Sequence, residues 1–241
     1  MTNPTAAMLV IGDEILSGRT REANAYHLAG RLGEAGIDLR EIRVVPDDHA
    51  VIVDALRALR STYDHVFTSG GIGPTHDDIT ADAVADAFGV GIAVRDDARA
   101  LLQDAIGRGR TLTDEHLRMA RIPHGAVLID NPISAAPGFT IGNAHVMAGV
   151  PAIFVAMLDA VLPGLAAGSP MLSRELRFEV GEGRIAAPLR ELAAAMPDLG
   201  IGSYPFHEGS TYGTNIVVRG TDPERIDRAI EQLHHIRTSL D

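Results

Sequence analysis

Residues 65–78 read His65-Val66-Phe67-Thr68-Ser69-Gly70-Gly71-Ile72-Gly73-Pro74-Thr75-His76-Asp77-Asp78, and this stretch decides the fold. His65 to Thr68 is a short buried-strand candidate that runs straight into a glycine-rich loop. Thr80 to Phe88 then has the spacing of a helix, with Thr80 as its expected N-cap and Asp82 in its first turn. Glycines let the backbone approach a bound group and turn amide N–H groups toward an anion. A helix N-terminus adds favourable partial charge. Gly70, Gly71 and Gly73 do not have GxGxxG spacing, so the loop is not a Rossmann fingerprint. Read alone, it suits a packed turn as well as it suits a phosphate or pterin site.

Upstream, Ala6 to Ile11 is an apolar strand ending at Gly12. Thr20 to Leu32 has helical spacing, Ile37 to Val45 alternates as a strand, and Ala50 to Leu59 is helical. Alternating strands and helices imply parallel βαβ units and a sheet covered on both faces. Ligands in such sheets sit beyond the carboxyl ends of strands, which directs attention to the loops after Ile11, Val45 and Thr68. Downstream, residues 95–121 read as helical. Short strands are expected at Val127–Ile129, Phe139–Ile141 and His145–Met147, and Pro151 opens a helix to about Leu165. Ala166 to Pro170 reads as a linker. A β-α-β-β-α unit follows: strand Leu176–Val180, helix Ile185–Met196, strands Gly200–Phe206 and Thr214–Arg219, and a helix from Asp222 or Pro223 through Ile236. The expected organisation is an α/β domain over 1–168 with a mostly parallel sheet, and a small α+β unit over 171–241.

The 241 residues are 46% apolar and 22% charged, an ordinary globular balance. There is no cysteine, which excludes disulfides, thiolate metal sites and a thiol nucleophile. All 21 basic residues are arginine, so neither a Schiff-base lysine nor a Walker A lysine exists. The formal charge of −11 argues against nucleic-acid binding. No basic n-region opens the sequence and no apolar run reaches the ~18 residues of a membrane span, so a cytoplasmic protein without membrane contact is expected.

Three acidic loops fall on one sheet edge: Gly12-Asp13-Glu14, Asp47-Asp48, and Asp77-Asp78. Such acids can hold a divalent cation against phosphate oxygens or position a water. The bland alternatives are surface turns, Asp48 capping the next helix, and Asp78 doing the same with Asp77 solvated. His76 is a candidate phosphate contact or general acid, whereas His145 and the other histidines suit packing. Asn131-Pro132, Ala136-Pro137-Gly138-Phe139 and Ala148-Gly149-Val150-Pro151 are rigid turns that could wall a pocket or be turns alone. No HExxH and no GxSxG elbow is present.

GDEIL after the first strand, SGGIGPTHDDIT after the third, NPISAAPGF, and AGVP opening a helix together resemble the N-terminal domain of the competence/damage-inducible protein A (CinA) family, within the MoaB/Mog molybdopterin-binding superfamily. The resemblance spans roughly residues 5–167. It implies a three-layer α/β/α domain, and the unit after it resembles that family's KH-like middle domain, here without a GxxG loop. The implied ligand site comprises Gly12, Ser69, Gly70, Gly71, Gly73, Pro74, Thr75, His76, Pro137, Gly138, Gly149 and Pro151. Asp47, Asp77 and Asp78 are the implied catalytic acids, and Asp13, Glu14 and Asp78 the implied metal ligands, for Mg²⁺, Mn²⁺ or Co²⁺. The implied activity is metal-dependent pyrophosphate cleavage of ADP-ribose-like or FAD-like nucleotides. The alternative is a molybdopterin- or nucleotide-binding protein without catalysis. A homo-oligomer is expected because relatives form dimers or trimers. One departure stands out: where the family has GVPxEM, this chain has Gly149-Val150-Pro151-Ala152-Ile153-Phe154, so Ile153 replaces an acid.

Overall fold

Ala6 through Ile11 are all buried, as a strand covered on both faces requires. This strand is β1 (Thr5–Ile11) of a computed structural model that describes residues 2–107 and 110–240. The chain forms two compact units, Met1–Gly168 and Ser169–Asp241. In the first unit β1 is followed by α1 (Asp13–Leu16), α2 (Asn24–Glu34), β2 (Asp38–Val45), α3 (His49–Thr62), β3 (His65–Ser69) and α4 (Thr80–Phe88). Then come β4 (Ile92–Val94), α5 (Asp96–Ile106), α6 (Asp114–Arg118), β5 (Arg121–Pro123), β6 (Val127–Ile129), β7 (Gly138–Ile141), β8 (Ala144–Met147) and α7 (Pro151–Val161).

One sheet has the order β2-β1-β3-β8-β7-β6. It is parallel from β2 to β8 and antiparallel at β7 and β6. β4 and β5 pair separately. Because β2 and β3 flank β1 on opposite sides, right-handed crossovers send α2 and α3 to opposite faces. On one face Leu28 and Leu32 of α2 join Phe154, Met157 and Leu158 of α7 over Met8, Val10 and Phe67. On the other, Ile52, Leu56 and Leu59 of α3 join Val84 of α4 over Leu9, Ile11 and Val66. The result is three layers.

Magnitudes show what holds α2 in place. Burying one Leu or Phe side chain contributes about 1.5–3 kcal/mol, and Leu28 and Leu32 are fully buried. The Arg31–Asp159 ion pair joining α2 to α7 is partly exposed, and such pairs contribute about 0–1 kcal/mol. The apolar stripe therefore docks the helix and the ion pair only trims it.

Local hydrogen bonds move several element boundaries from where the sequence suggests. α2 begins at Asn24 and not Thr20, because the Glu22 carboxylate accepts the Ala25 N–H at 2.9 and 3.1 Å and closes the helix start. Thr80 is the first helical residue of α4, with Ile79 in the cap position. Asp48 does cap α3, accepting the Val51 N–H at 3.0 Å. The helix expected over 95–121 is divided. α5 stops before Gly107, whose φ of 89° is left-handed, and α6 restarts under the Thr113 cap. Residues 108–109 of that expected helix lie outside the described residues. Arg121 enters β5, a strand too short to show a period.

The second unit runs β9 (Leu172–Phe178), α8 (Glu182–Ala195), β10 (Gly200–Glu208), β11 (Thr211–Gly220) and α9 (Pro223–Leu240). Its antiparallel sheet, β10-β11-β9, has its own core of Phe178, Ile216, Val218, Ile226 and Leu233. Among the described residues no helix is long and apolar enough to cross a membrane.

One buried histidine, packed against a half-buried one, gives the first unit a pH dependence. His145 on β8 is buried, stacks on Phe67 with ring centroids 4.9 Å apart, and places Nε2 3.3 Å from Nδ1 of His65. Burial, with His65 beside it, lowers the His145 pKa from 6.5 to about 4. The folded chain thus keeps this ring neutral where the unfolded chain would protonate it. Its contribution is intact above pH 6.5 and is lost as pH falls toward 4, a loss of about 3 kcal/mol at full protonation. Urea unfolding across this range is expected to show that fall, and His145→Gln to flatten it. An unchanged slope in the variant would assign the acid sensitivity elsewhere.

Candidate functional site

β1, β3 and β8 end side by side, and a cavity of about 520 Å³ opens beyond their carboxyl ends. Its wall is built from Glu14 and Thr20 after β1, Gly70 to Pro74 and Asp78 after β3, and Ala148 to Pro151 with Ile153 after β8. Met119, Asn131, Ser134 and Ala136 close the remaining side. This is the switch point between β1 and β3, where the connections leave in opposite directions.

The backbone of the β3 loop can be built only with glycine. Gly70 has φ 106°, and a Cβ there would stand 2.2 Å from the Ile11 carbonyl oxygen. Gly71 has φ 68°, and a Cβ there would stand 2.1 Å from Thr80 Oγ1. Thr80 fixes the turn from the other side. Its Oγ1 donates to Gly70 O and its N–H to Gly71 O, both at 3.0 Å. Thr80 therefore serves the loop, not the cap expected from its position.

Asn24 completes the frame. It is buried at the first turn of α2, and its Nδ2 donates to Ser69 Oγ and to Gly149 O, both at 2.8 Å. One amide thus joins the end of β3 to the turn after β8. Asn131 acts similarly on the far wall: Nδ2 donates to Ala136 O at 2.8 Å and Oδ1 accepts from the Ile133 and Ser134 N–H groups.

Of the acids, Glu14 and Asp78 reach the cavity wall. Asp78 folds back, its Oδ2 accepting the Thr75 N–H at 2.7 Å and the Thr75 hydroxyl. Its carboxylate lies against Gly73, so it does not cap α4. Asp47 is off the wall and accepts the Asp13 N–H at 2.9 Å, which pins the start of α1. Burial holds the Asp47 carboxyl above the usual carboxylate range. The Asp13 N–H opposes this, while the charges of Asp13, Glu14 and Asp77 add to it.

Eight expected site residues meet on the cavity: Glu14, Gly70, Gly71, Gly73, Pro74, Asp78, Gly149 and Pro151. The others lie elsewhere. The Gly12 N–H is bonded to Val45 O at 3.1 Å. Ser69 is buried behind the loop under Asn24. Thr75 and His76 face a second, open groove, and the His76 ring is almost fully exposed near Asp77. Pro137 lines a small void behind the loop, and Gly138 packs β7 on β8, where a Cβ would meet Val146 O at 2.5 Å. Asn24 and Arg118 escaped the sequence reading. Asn24 left one signal, a polar residue on the apolar stripe shared by Ala25, Leu28 and Leu32.

The donor set bears on a metal. Among the described residues no three His, Asp or Glu side chains group closely enough to hold one by themselves. A protein-only cage therefore does not assemble. A cation of the Mg²⁺ class needs only one or two carboxylates when substrate phosphates supply the rest, and Glu14 and Asp78 both line the cavity.

Residues 7–167 match the family model described as the probable molybdopterin binding domain. The chain belongs to that family. The resemblance to the CinA N-terminal domain stands with it, since the solved structure of the protein CinA from Thermoplasma acidophilum, described as of unknown function, is 34% identical with a TM-score of 0.64. That match covers 68% of this chain and 99% of the other. A CinA-like protein of Citrifermentans bemidjiense is 38% identical over 211 residues, 85% of this chain and 48% of its own length. A probable FAD synthase of Caenorhabditis elegans is 30% identical over 258 residues, 96% of this chain and 50% of its own length. This chain spans about half of each of those two proteins. Residues 170–237 match the FAD synthase middle domain. The molybdopterin-binding domain thus has an α/β fold with a mostly parallel sheet, and the unit that matches the FAD synthase middle domain follows it.

Asn24→Ala would leave Ser69 Oγ and Gly149 O without this donor. The expected loss is about 1–3 kcal/mol in urea unfolding, with weaker ligand binding because both sides of the cavity mouth are released. Full stability in the variant would mean that the amide bridge is dispensable.

Proposed function

We propose that the molybdopterin-binding domain takes a nucleotide or pterin phosphate into the 520 Å³ cavity and cleaves a phosphoanhydride there, as a divalent-cation-dependent nucleotide pyrophosphatase. The observation that carries this reading is the composition of the lining: glycine backbone of the β3 loop and, as its charged side chains, Glu14 and Asp78. The volume suits a small organic ligand. Ile72, Met119, Val150 and Ile153 offer an apolar surface to a planar ring. The loop amides would meet charge developing on phosphate oxygens. Glu14 and Asp78 would hold the cation, which polarises a phosphoryl oxygen and makes bound water more acidic. Asp47 would act through the Asp13 N–H, keeping α1 and Glu14 in place. Water adds to one phosphorus, the bridging P–O bond breaks, and two phosphate monoesters leave: AMP and ribose 5-phosphate from ADP-ribose, AMP and FMN from FAD. The names of the relatives, one a probable FAD synthase and one CinA-like, support a nucleotide ligand.

A second reading has one observation in its favour. Ile153 sits on the cavity wall where the family resemblance implies an acid. With that acid absent, the domain would bind its ligand without turnover.

Turnover of ADP-ribose and FAD, with and without Mg²⁺, Mn²⁺ or Co²⁺, separates the two. Metal-dependent release of AMP is expected, falling about 10²-fold or more in Asp78→Asn while that variant keeps its circular dichroism and melting temperature. Turnover unchanged in Asp78→Asn would remove the assignment. Thermal stabilisation by the nucleotide without any turnover would establish the binding protein.

A further inference from the structure

Beside the 520 Å³ cavity, and sharing Gly71, Ile72, Gly73, Asp78 and Met119 with it, lies a void of about 20 Å³. Gly71, Gly73 and Asp78 line it from the loop, Asp82 from α4, and Arg118 and Arg121 from the α6 end. Arg121 is engaged with Asp82, its Nη1 donating to Oδ2 at 3.0 Å. Arg118 reaches over the loop, where Nη2 donates to His76 O at 3.2 Å and to Asp78 O at 3.3 Å. Its Nε is buried and, among the described residues, has no protein partner.

A buried guanidinium N–H left unpaired loses its hydration with nothing in return, so a partner is favoured there. A polar void of this size holds one water, which needs two to four polar partners. We propose that Arg118 is a positioning residue of the glycine-loop site and that one ordered water in the void completes its hydrogen bonding. Arg118 Nε donates to the water, and the water donates to a carboxylate or carbonyl oxygen on the void's wall. Through its two direct bonds and this bridge, Arg118 sets the path of residues 76–78 and so the place of the Asp78 carboxylate. It touches no reacting atom. The assignment accounts for a basic residue placed against a loop that displays its carbonyl oxygens outward, where its charge answers the acids of the site from behind.

The part of this inference that concerns ligand binding rests on the reading above, and the structural part does not. The measurement is amide hydrogen exchange of the full chain, wild type against Arg118→Met and Arg118→Lys, with melting temperatures alongside. The amides to follow are Thr75, Asp78 and Thr80, which bond Asp78 Oδ2, Thr75 O and Gly71 O. The expected result is exchange about tenfold or more faster at Thr75 and Asp78 in Arg118→Met, partial recovery in Arg118→Lys, and little change in β1 or α3. Equal exchange in wild type and Arg118→Met overturns the proposal, as does a uniform increase across the unit that follows the melting temperature. A crystal structure at high resolution is expected to show one water in the void within hydrogen-bond distance of Arg118 Nε, and a dry void or an Arg118 turned to solvent contradicts the bridge. Affinity for ADP-ribose with Mn²⁺ is measured on the same variants. Weaker binding in Arg118→Met extends the positioning role to the ligand. If the wild type binds none, the proposed function fails, while the exchange data still decide the role of Arg118.

Discussion

The buried amide of Asn24 ties Ser69 at the end of β3 to Gly149 after β8, with both bonds at 2.8 Å. Much of the site depends on this constraint. Gly70 is pressed against the Ile11 carbonyl and Gly149 lies beside Gly70, where a Cβ on Gly149 would stand 3.3 Å from the Gly70 Cα. The ends of β1, β3 and β8 are therefore packed backbone on backbone. Side chains are excluded at this junction, and that exclusion leaves glycine backbone on this part of the cavity lining. Thr80 holds the same loop from α4, so α2 and α4, on opposite faces of the sheet, both fix one turn.

The electrostatics follow from the same geometry. Carboxylates collect around the mouth, and the lining of the large cavity includes no arginine. Such a cavity does not receive a phosphate group by charge attraction to side chains. Under the proposed function, amide dipoles and a cation shared with the ligand would do so instead. Burial raises the proton affinity of Asp47 and the charges of Asp13, Glu14 and Asp77 add to it, while Arg118 sets its positive charge against the carbonyls of His76 and Asp78.

The central β1 run and the passage from His65 through Asp78 made the fold legible, because continuous apolar strands feeding glycine loops have few other solutions. Glu14 and the glycines were legible as candidate cavity residues because they follow the ends of β1, β3 and β8 closely, and Asp78 because it ends the glycine-rich stretch. Other features left no local trace. β4 and β5 pair over three residues each, too few to show a repeating alternation. The break after α5 at Gly107 was hidden by apolar residues that keep helical spacing on both sides. Asp47 and Ser69 sit at the right strand ends, yet point into hydrogen bonds behind the cavity wall, a distinction only tertiary packing makes. Asn24 and Arg118 act across the chain, on partners 45 and 125 positions away for Asn24 and 42 and 40 for Arg118. No window of sequence contains such a pairing.

The central claim, that ligand phosphates and a cation meet between Glu14, Asp78 and the glycine loop, is tested most directly by amide NMR of the full chain titrated with ADP-ribose and Mn²⁺. The expected result is paramagnetic broadening centred on residues 12–14 and 70–78, appearing only when nucleotide and metal are both present. Broadening confined to the 169–241 unit, or spread over exposed acids regardless of nucleotide, would contradict it.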